Sequence, residues 1–159
     1  MTDAKKIEQA KAVYSTILSV LDGRGWKYDQ KEEKNTIFLK LSGDDLPMDF
    51  VIRVLEEQQV ISIISFMPTS MPEDKRVEGA IATTIITNKL ADGSFDYDVS
   101  DGTIMFRITS SFKDSLIGEK LIGYMIDVSA LTVDEYNDKL FMLAKGVLSL
   151  EDFMKEQLA

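Results

Sequence analysis

Cysteine and histidine are both missing from this chain of 159 residues. Without cysteine, the protein has no disulfide, no thiol nucleophile and no thiolate ligand for a metal. Without histidine, it lacks the most common general base and the imidazole ligands of most zinc and iron centres. Carboxylates, Lys, Tyr, Ser and Thr remain, and they form no recognisable catalytic motif. We therefore predict a protein that is not an enzyme and that needs no cofactor.

Long apolar runs and an excess of basic residues are missing as well. No run approaches the roughly 18 apolar residues of a membrane span, and the first eight residues lack the basic-then-apolar order of a signal peptide. The cytoplasm is therefore the expected location. The 18 basic and 27 acidic side chains give a net charge of −9. Such a surface repels phosphate backbones, and the basic residues form no separate block, so nucleic-acid binding is not expected.

The length and composition are those of one globular domain. The apolar fraction of 45% suits a buried core, and the sequence contains no internal repeat, low-complexity tract or Pro/Gly-rich linker. We therefore predict a single domain over residues 1–159.

Apolar periodicity predicts a helix followed by four strands. Helical spacing runs over residues 3–22, where Gly23 and Gly25 end the helix. Strand-like runs then cover Trp26–Gln30, Thr36–Ser42, Met48–Glu56 and Val60–Met67. Because the turns between them are short, the strands are expected to be antiparallel.

A second helix is predicted near Ser70, where Ser70 and Glu73 have the spacing of a capping box and Pro72 fits the first turn. One stripe of this helix would comprise Val77, Ala80, Ile81, Thr84, Ile85 and Asn88. Two helical segments end the chain, the second of them starting at a Thr132–Glu135 capping box. A break is expected at Gly146 and Ser149.

Three aspartates, Asp96, Asp98 and Asp101, precede Gly102, which raises the possibility of a calcium loop. An EF-hand starting at Asp96 would have its glycine one position late, and Arg107 would occupy the position of the bidentate glutamate. The sequence instead predicts a hairpin closed by a type I′ Asp-Gly turn. That turn would pair Val99 with Ile104, Tyr97 with Phe106 and Phe95 with Ile108, with Asp96 opposite Arg107 and Asp98 opposite Met105.

The combined order is α-ββββ-α-ββ-α(α), which predicts an α+β protein with an antiparallel sheet and helices mainly on one face. With the stretches Asn88–Asp98 and Asp101–Arg107, and a helix ending near Lys145-Gly146, the sequence resembles the YbjN family over residues 5–150. The resemblance implies a fold similar to type III secretion chaperones. It also implies a bacterial sensory-transduction regulator or chaperone-like module that acts without catalysis, and it is compatible with a homodimer.

The predicted sheet has apolar residues on both faces. If Ile37, Leu39, Phe50 and Ile52 face the helices, then Phe38, Val51, Leu55 and Met105 point the other way. These four residues need a covering element, which would be either the C-terminal helices of the same chain or a protein partner. We expect them to bind another polypeptide or a second copy of the chain, with a polar rim of Lys40, Arg53, Arg107 and Asp96.

A second hypothesis remains open from the sequence. Acidic residues at Asp44, Asp45, Asp96, Asp98 and Asp101 would serve a small-molecule or divalent-metal binding protein, or an enzyme that uses carboxylates.

Overall fold

The computed structural model describes residues 3–159, which form an α+β fold with one antiparallel sheet of six strands and four helices. The helices are α1 (Asp3–Gly23), α2 (Arg76–Lys89), α3 (Glu119–Lys145) and α4 (Leu150–Leu158). The strands are β1 (Tyr28–Lys31), β2 (Thr36–Ser42), β3 (Pro47–Leu55), β4 (Val60–Phe66), β5 (Ser94–Tyr97) and β6 (Ile104–Ser111). The predicted fold class and element order are confirmed.

The sheet has the strand order β1-β2-β3-β4-β6-β5. The first four strands form a meander, in which Phe38 lies opposite Val51 and Val51 opposite Ile64. After β4 the chain passes through α2 to the edge strand β5, and β6 then returns between β4 and β5. Every strand is therefore antiparallel to its neighbours, as the short turns predicted.

The core lies between the sheet and the helices, which all pack on one face. Helix α3 contacts β3, β4 and β6, α1 contacts β3 and α3, and α4 packs against α2 and α3. The sheet residues on this inner face alternate along each strand and are almost fully buried: Ile37, Leu39, Phe50, Ile52, Val54, Ile61, Ile63, Phe106 and Ile108. The Phe95 ring also meets the ring of Tyr136 from α3 edge to face, with centroids 5.9 Å apart.

Gly25 ends helix α1 in the way that the sequence predicted. Its φ of +67° is the left-handed conformation that glycine adopts without strain. The Gly25 N–H donates to the Asp22 carbonyl at 2.9 Å, and the Trp26 N–H donates to the Leu21 carbonyl at 3.1 Å. These two bonds form a Schellman motif, which satisfies carbonyl groups at the helix end.

The C-terminal helices differ from the prediction in one respect. Helix α3 runs without a break through Thr132, which is buried mid-helix and caps nothing, so the predicted start at Thr132–Glu135 is wrong. A Thr-x-x-Glu pattern is local, and here the burial of Thr132 within a long apolar stripe outweighs it. The predicted break is confirmed, because Gly146 adopts φ +73° and Ser149 accepts the Asp152 N–H at 3.1 Å to cap α4.

Helix α2 differs from the predicted helix in the residue at which it begins and in the face that it buries. A 3-10 turn at Glu73–Lys75 precedes it, and the hydroxyl of Ser70 caps no helix. Its buried residues are Gly79, Ala82, Thr83 and Ile86, whereas the predicted stripe, including Val77 and Ile81, is largely exposed. Gly79 decides the orientation, because a Cβ there would overlap Met71 and the Tyr97 ring.

No helix within residues 3–159 is long and apolar enough to cross a lipid bilayer.

Candidate protein-binding surface

The outer face of the sheet, opposite the helices, is left uncovered by residues 3–159. Its apolar side chains retain substantial exposure, which is 36% for Phe38, 37% for Leu55 and 56% for Phe66. The alternative in which the C-terminal helices cover this face is therefore wrong. Helices α3 and α4 pack against the inner face or against other helices.

A contiguous apolar patch occupies the middle of the outer face. Phe38, Val51 and Ile64 lie side by side across β2, β3 and β4, because they are direct partners in the strand register. On the next row, Phe66 lies opposite Met105 of β6. Directly paired residues have Cβ atoms about 5 Å apart, so neighbouring side chains touch. We call Phe38, Val51, Ile64, Phe66 and Met105 the outer patch.

Of the four residues that the sequence predicts to bind a partner, three belong to the outer patch and one does not. Phe38 and Val51 are direct neighbours, and Met105 joins them through Ile64 and Phe66, two residues that the sequence interpretation did not assign to this face. Leu55 is separate. It lies opposite Val60, and a polar row of Thr36, Arg53 and Ser62 stands between that pair and the outer patch.

Charged side chains surround the outer patch, as predicted for the rim. Lys40 forms an ion pair with Asp49 at 3.6 Å, and Arg107 forms one with Asp96 at 2.6 Å. The Lys31 ammonium lies 5.5 Å from the centre of the Phe38 ring, within the range of a cation–π contact. The surface thus combines an apolar centre with a charged edge, which is the arrangement of many protein–protein interfaces.

Two of the three aspartates before Gly102, Asp98 and Asp101, stabilise the loop that contains them, which confirms the interpretation of this stretch as a turn. The Asp98 carboxylate accepts the Ser100 N–H at 2.9 Å and the Ser100 hydroxyl at 2.6 Å. These hydrogen bonds lower the pKa of Asp98. Asp101 accepts the Thr103 N–H at 2.8 Å.

The predicted register of this hairpin is wrong by two residues. Tyr97 lies opposite Ile104, Phe95 opposite Phe106 and Asp96 opposite Met105. The Asp98 N–H donates to the Thr103 carbonyl at 3.0 Å, so the loop contains four residues instead of the predicted two. Asp101 does not adopt the positive φ that a type I′ turn requires at both central positions, whereas Gly102 does at +81°. The loop is longer because Asp98 and Asp101 bond to backbone groups within it.

The acidic side chains are not brought together in a metal site. Among residues 3–159, no group of three or more acidic side chains is arranged to hold an ion. Asp44 and Asp45 lie in the exposed turn between β2 and β3, where the Asp44 N–H donates to the Asp134 carboxylate at 2.9 Å. This hydrogen bond ties the turn to α3, so Asp44 contributes to the fold through its backbone.

An open groove extends the outer patch towards the β5–β6 loop. It has a volume of about 720 Å³, and Phe66 and Met105 form its apolar part. Val99 of the loop, which is 59% exposed, also lines the groove, together with Asp98 and Asp101. The groove therefore enlarges the apolar surface that a partner can contact.

Comparison with known proteins places the fold. No protein-family model matches the sequence, and no curated protein sequence is similar to it. The crystal structure of YbjN, a proposed transcription regulator from E. coli, is similar, with a TM-score of 0.56 and 10% sequence identity. The similarity covers 79% of this chain and 92% of that chain. The chain therefore has a YbjN-like fold, and at this identity the likeness establishes the fold alone.

Proposed function

We propose that the protein is a non-enzymatic regulatory or chaperone-like module that binds another polypeptide through the outer patch. The observation that carries the proposal is the uncovered row of Phe38, Val51 and Ile64 on a sheet whose other face is fully packed. Exposure of this apolar surface to water is unfavourable, and a bound partner removes the surface from water.

The size of the outer patch suits a specific contact. Complete burial of one large apolar side chain contributes about 1.5–3 kcal/mol, so five partly exposed side chains supply several kcal/mol towards the cost of association. The ion pairs Lys40–Asp49 and Arg107–Asp96 lie at the edge, where exposed charges direct orientation more than affinity.

The fold and the charge support a regulator that acts through protein contacts. YbjN, which shares the fold, is described as a proposed transcription regulator. The net charge of −9 disfavours direct contact with a nucleic-acid backbone. Regulation by binding a protein in the cytoplasm, with the whole chain acting as one domain, is consistent with both.

Substitution of Val51 by lysine tests the proposal. Val51 lies at the centre of the row and points away from the core, so Val51→Lys should leave the melting temperature nearly unchanged. A matched control is Val77→Lys, because Val77 is 71% exposed on α2, outside the outer patch. The wild type and Val77→Lys should retain the same polypeptide from cells of the source organism, and Val51→Lys should lose it. Retention by a folded Val51→Lys protein would contradict the proposal.

A further inference from the structure

Arg53 is the only arginine or lysine on the outer-face strand positions that has no partner among residues 3–159. Lys40 and Arg107 form ion pairs, and Lys31 lies over the Phe38 ring. The Arg53 guanidinium makes no hydrogen bond, ion pair or ring contact within the described chain, and its side chain is exposed. An acid-rich protein therefore keeps one guanidinium free on the face that carries its apolar patch.

The surroundings of Arg53 are neutral. Its direct cross-strand neighbours are Thr36 and Ser62, and the outward residues before and after it on β3 are Val51 and Leu55. No carboxylate occupies any of these four positions, although the chain has 27 acidic residues. Arg53 thus lies on the row between the outer patch and the apolar pair Leu55–Val60.

The outer face also differs in charge from the rest of the protein. The outward positions of the six strands carry four cations and three acids: Lys31, Lys40, Arg53, Arg107, Asp29, Asp49 and Asp96. The chain as a whole has a net charge of −9. The strand positions therefore repel an acidic ligand less than the rest of the surface does, and Arg53 is the cation there that is not already paired.

We propose that Arg53 is the anchor for a carboxylate, and that the polypeptide bound by the outer patch is an acidic amphipathic segment. This inference rests on the proposed function, and it adds the chemistry of the partner. An arginine forms two parallel hydrogen bonds to one carboxylate, which fixes orientation as well as affinity. The partner covers Phe38, Val51 and Ile64 with apolar side chains and places an Asp or Glu side chain on Arg53.

The spacing of the face suits an amphipathic helix that crosses the strands. Adjacent strands are about 4.8 Å apart, and one helical turn advances 5.4 Å, so successive turns deliver one apolar side chain to each of Phe38, Val51 and Ile64. The polar row that contains Arg53 lies two residues further along β3, about 6.6 Å away. A glutamate on the flank of such a helix reaches this row while the apolar stripe stays on the patch.

Two peptide probes and five proteins test this proposal. The first probe is a helical peptide of about 15 Leu and Glu residues with Leu at helical spacing, and the second has Lys in place of every Glu. Binding is measured by calorimetry at low and moderate salt with wild type, Arg53→Met, Arg53→Lys, Lys40→Met and Val51→Lys. Lys40→Met is the matched control, because it removes a cation from the same face at a position that is already paired.

The Glu peptide should bind the wild type more tightly than the Lys peptide, although the negative net charge of the protein attracts the Lys peptide. Arg53→Met should weaken it about 10- to 100-fold, as expected for the loss of a charge-assisted hydrogen-bonded pair. Lys40→Met should change it less than about twofold, and added salt should weaken binding to the wild type. Arg53→Lys should restore only part of the affinity, because an ammonium does not form the paired hydrogen bonds.

Three results would overturn the inference. The first is a Lys peptide that binds as well as the Glu peptide, and the second is an Arg53→Met protein with unchanged affinity. The third is a wild-type dimer in light scattering that Val51→Lys dissociates, because the occupant is then a second copy of the chain. In the first two cases the proposed function stands if Val51→Lys still loses its natural partner, so the two failures can be told apart.

Discussion

Arg107 and Asp96 form an ion pair across the β5–β6 hairpin, although they are not opposite one another in the strand register. The Arg107 guanidinium lies 2.6 Å from the Asp96 carboxylate, while Arg107 is paired with Ser94 and Asp96 with Met105. The contact is therefore diagonal. Asp96 also accepts the Ser94 hydroxyl at 2.8 Å.

We predict that Asp96→Asn lowers the free energy of unfolding by less than about 1 kcal/mol, because both partners of the ion pair are partly exposed and surface pairs contribute little. Urea denaturation at low and high salt measures the change. The difference between wild type and variant should shrink as salt is added. A loss of several kcal/mol would show that this carboxylate has a larger role in the hairpin.

Substitution of Gly102 is expected to destabilise the protein far more than substitution of Asp96. Its φ is +81°, and a Cβ there would overlap the carbonyl oxygen of Met71. The two residues are already in close contact, because the Met71 N–H donates to the Gly102 carbonyl at 2.9 Å. Gly102→Val should therefore lower stability by roughly 2 kcal/mol or more through backbone strain and this overlap. Gly23→Ala is the control, because Gly23 lies inside the last turn of α1 with open space around it. Equal melting temperatures for Gly102→Val and the wild type would contradict the loop geometry.

The strands were predictable from the sequence to a larger extent than the helix boundaries were. Alternation along β2 and β3 identified both faces, so Phe38 and Val51 were placed correctly. In β4, the apolar residues Ile61, Ile63 and Ile64 hide the alternation. Ile64 and Phe66 were therefore not recognised as outer residues, because only the register with β3 shows which way they point.

The wrong predictions have a common physical origin, since each relied on a local pattern that tertiary contacts outweigh. The Asp-Gly pair favours a two-residue turn, but the carboxylates of Asp98 and Asp101 bond within the loop and lengthen it. The stripe of α2 follows apolar side chains, yet the helix turns Gly79 towards the sheet because only glycine permits the close approach. The sequence predicts Arg53 at the rim, but its lack of a partner is visible only when its neighbours across the strands are known.

Asn137 has two buried polar atoms without a hydrogen-bond partner in the described chain. It is 1% exposed on α3, and the two atoms are its amide nitrogen and its amide oxygen. We predict that Asn137→Ala raises the free energy of unfolding by about 1 kcal/mol, because an unsatisfied buried amide is costly and alanine favours the helix.

Ser129→Ala is the matched control for Asn137→Ala. Ser129 is equally buried on the same helix, but its hydroxyl donates to the Met125 carbonyl at 2.7 Å. This variant should gain nothing, because it loses a hydrogen bond that is made. If both variants gain equally in urea denaturation, helix propensity explains the effect. If Asn137→Ala loses stability, the amide binds a group that the protein chain does not supply.

All five tyrosines have a raised pKa in the folded protein: Tyr14, Tyr28, Tyr97, Tyr124 and Tyr136. A hydrogen bond to Asp22 is the main cause at Tyr28, and one to Asp92 is the main cause at Tyr124. Burial is the main cause at the other three. Because the fold favours the neutral phenol, this contribution to stability is complete below about pH 10 and is lost as pH rises above it.

We therefore predict that the phenolate absorbance of the folded protein appears at higher pH than that of the urea-unfolded chain, and that the urea midpoint falls above about pH 10. Tyr28→Phe should reduce this fall without changing the midpoint at neutral pH by much, since the Tyr28–Asp22 hydrogen bond lies at the surface. Identical titration curves for folded and unfolded protein would contradict the prediction.

Val54 and Leu55 are adjacent on β3 and point to opposite faces of the sheet, which provides a direct test of the uncovered outer face. Val54 is 3% exposed and packs in the core, whereas Leu55 is 37% exposed.

We predict that Val54→Glu unfolds the protein, because a buried carboxylate without a partner is strongly unfavourable. Leu55→Glu should stay folded with a free energy of unfolding within about 1 kcal/mol of the wild type, because its carboxylate remains in water. Thermal melting followed by circular dichroism measures both variants. If Leu55→Glu unfolds like Val54→Glu in a monomeric protein, the outer face is part of the core and the surface that binds a partner lies elsewhere.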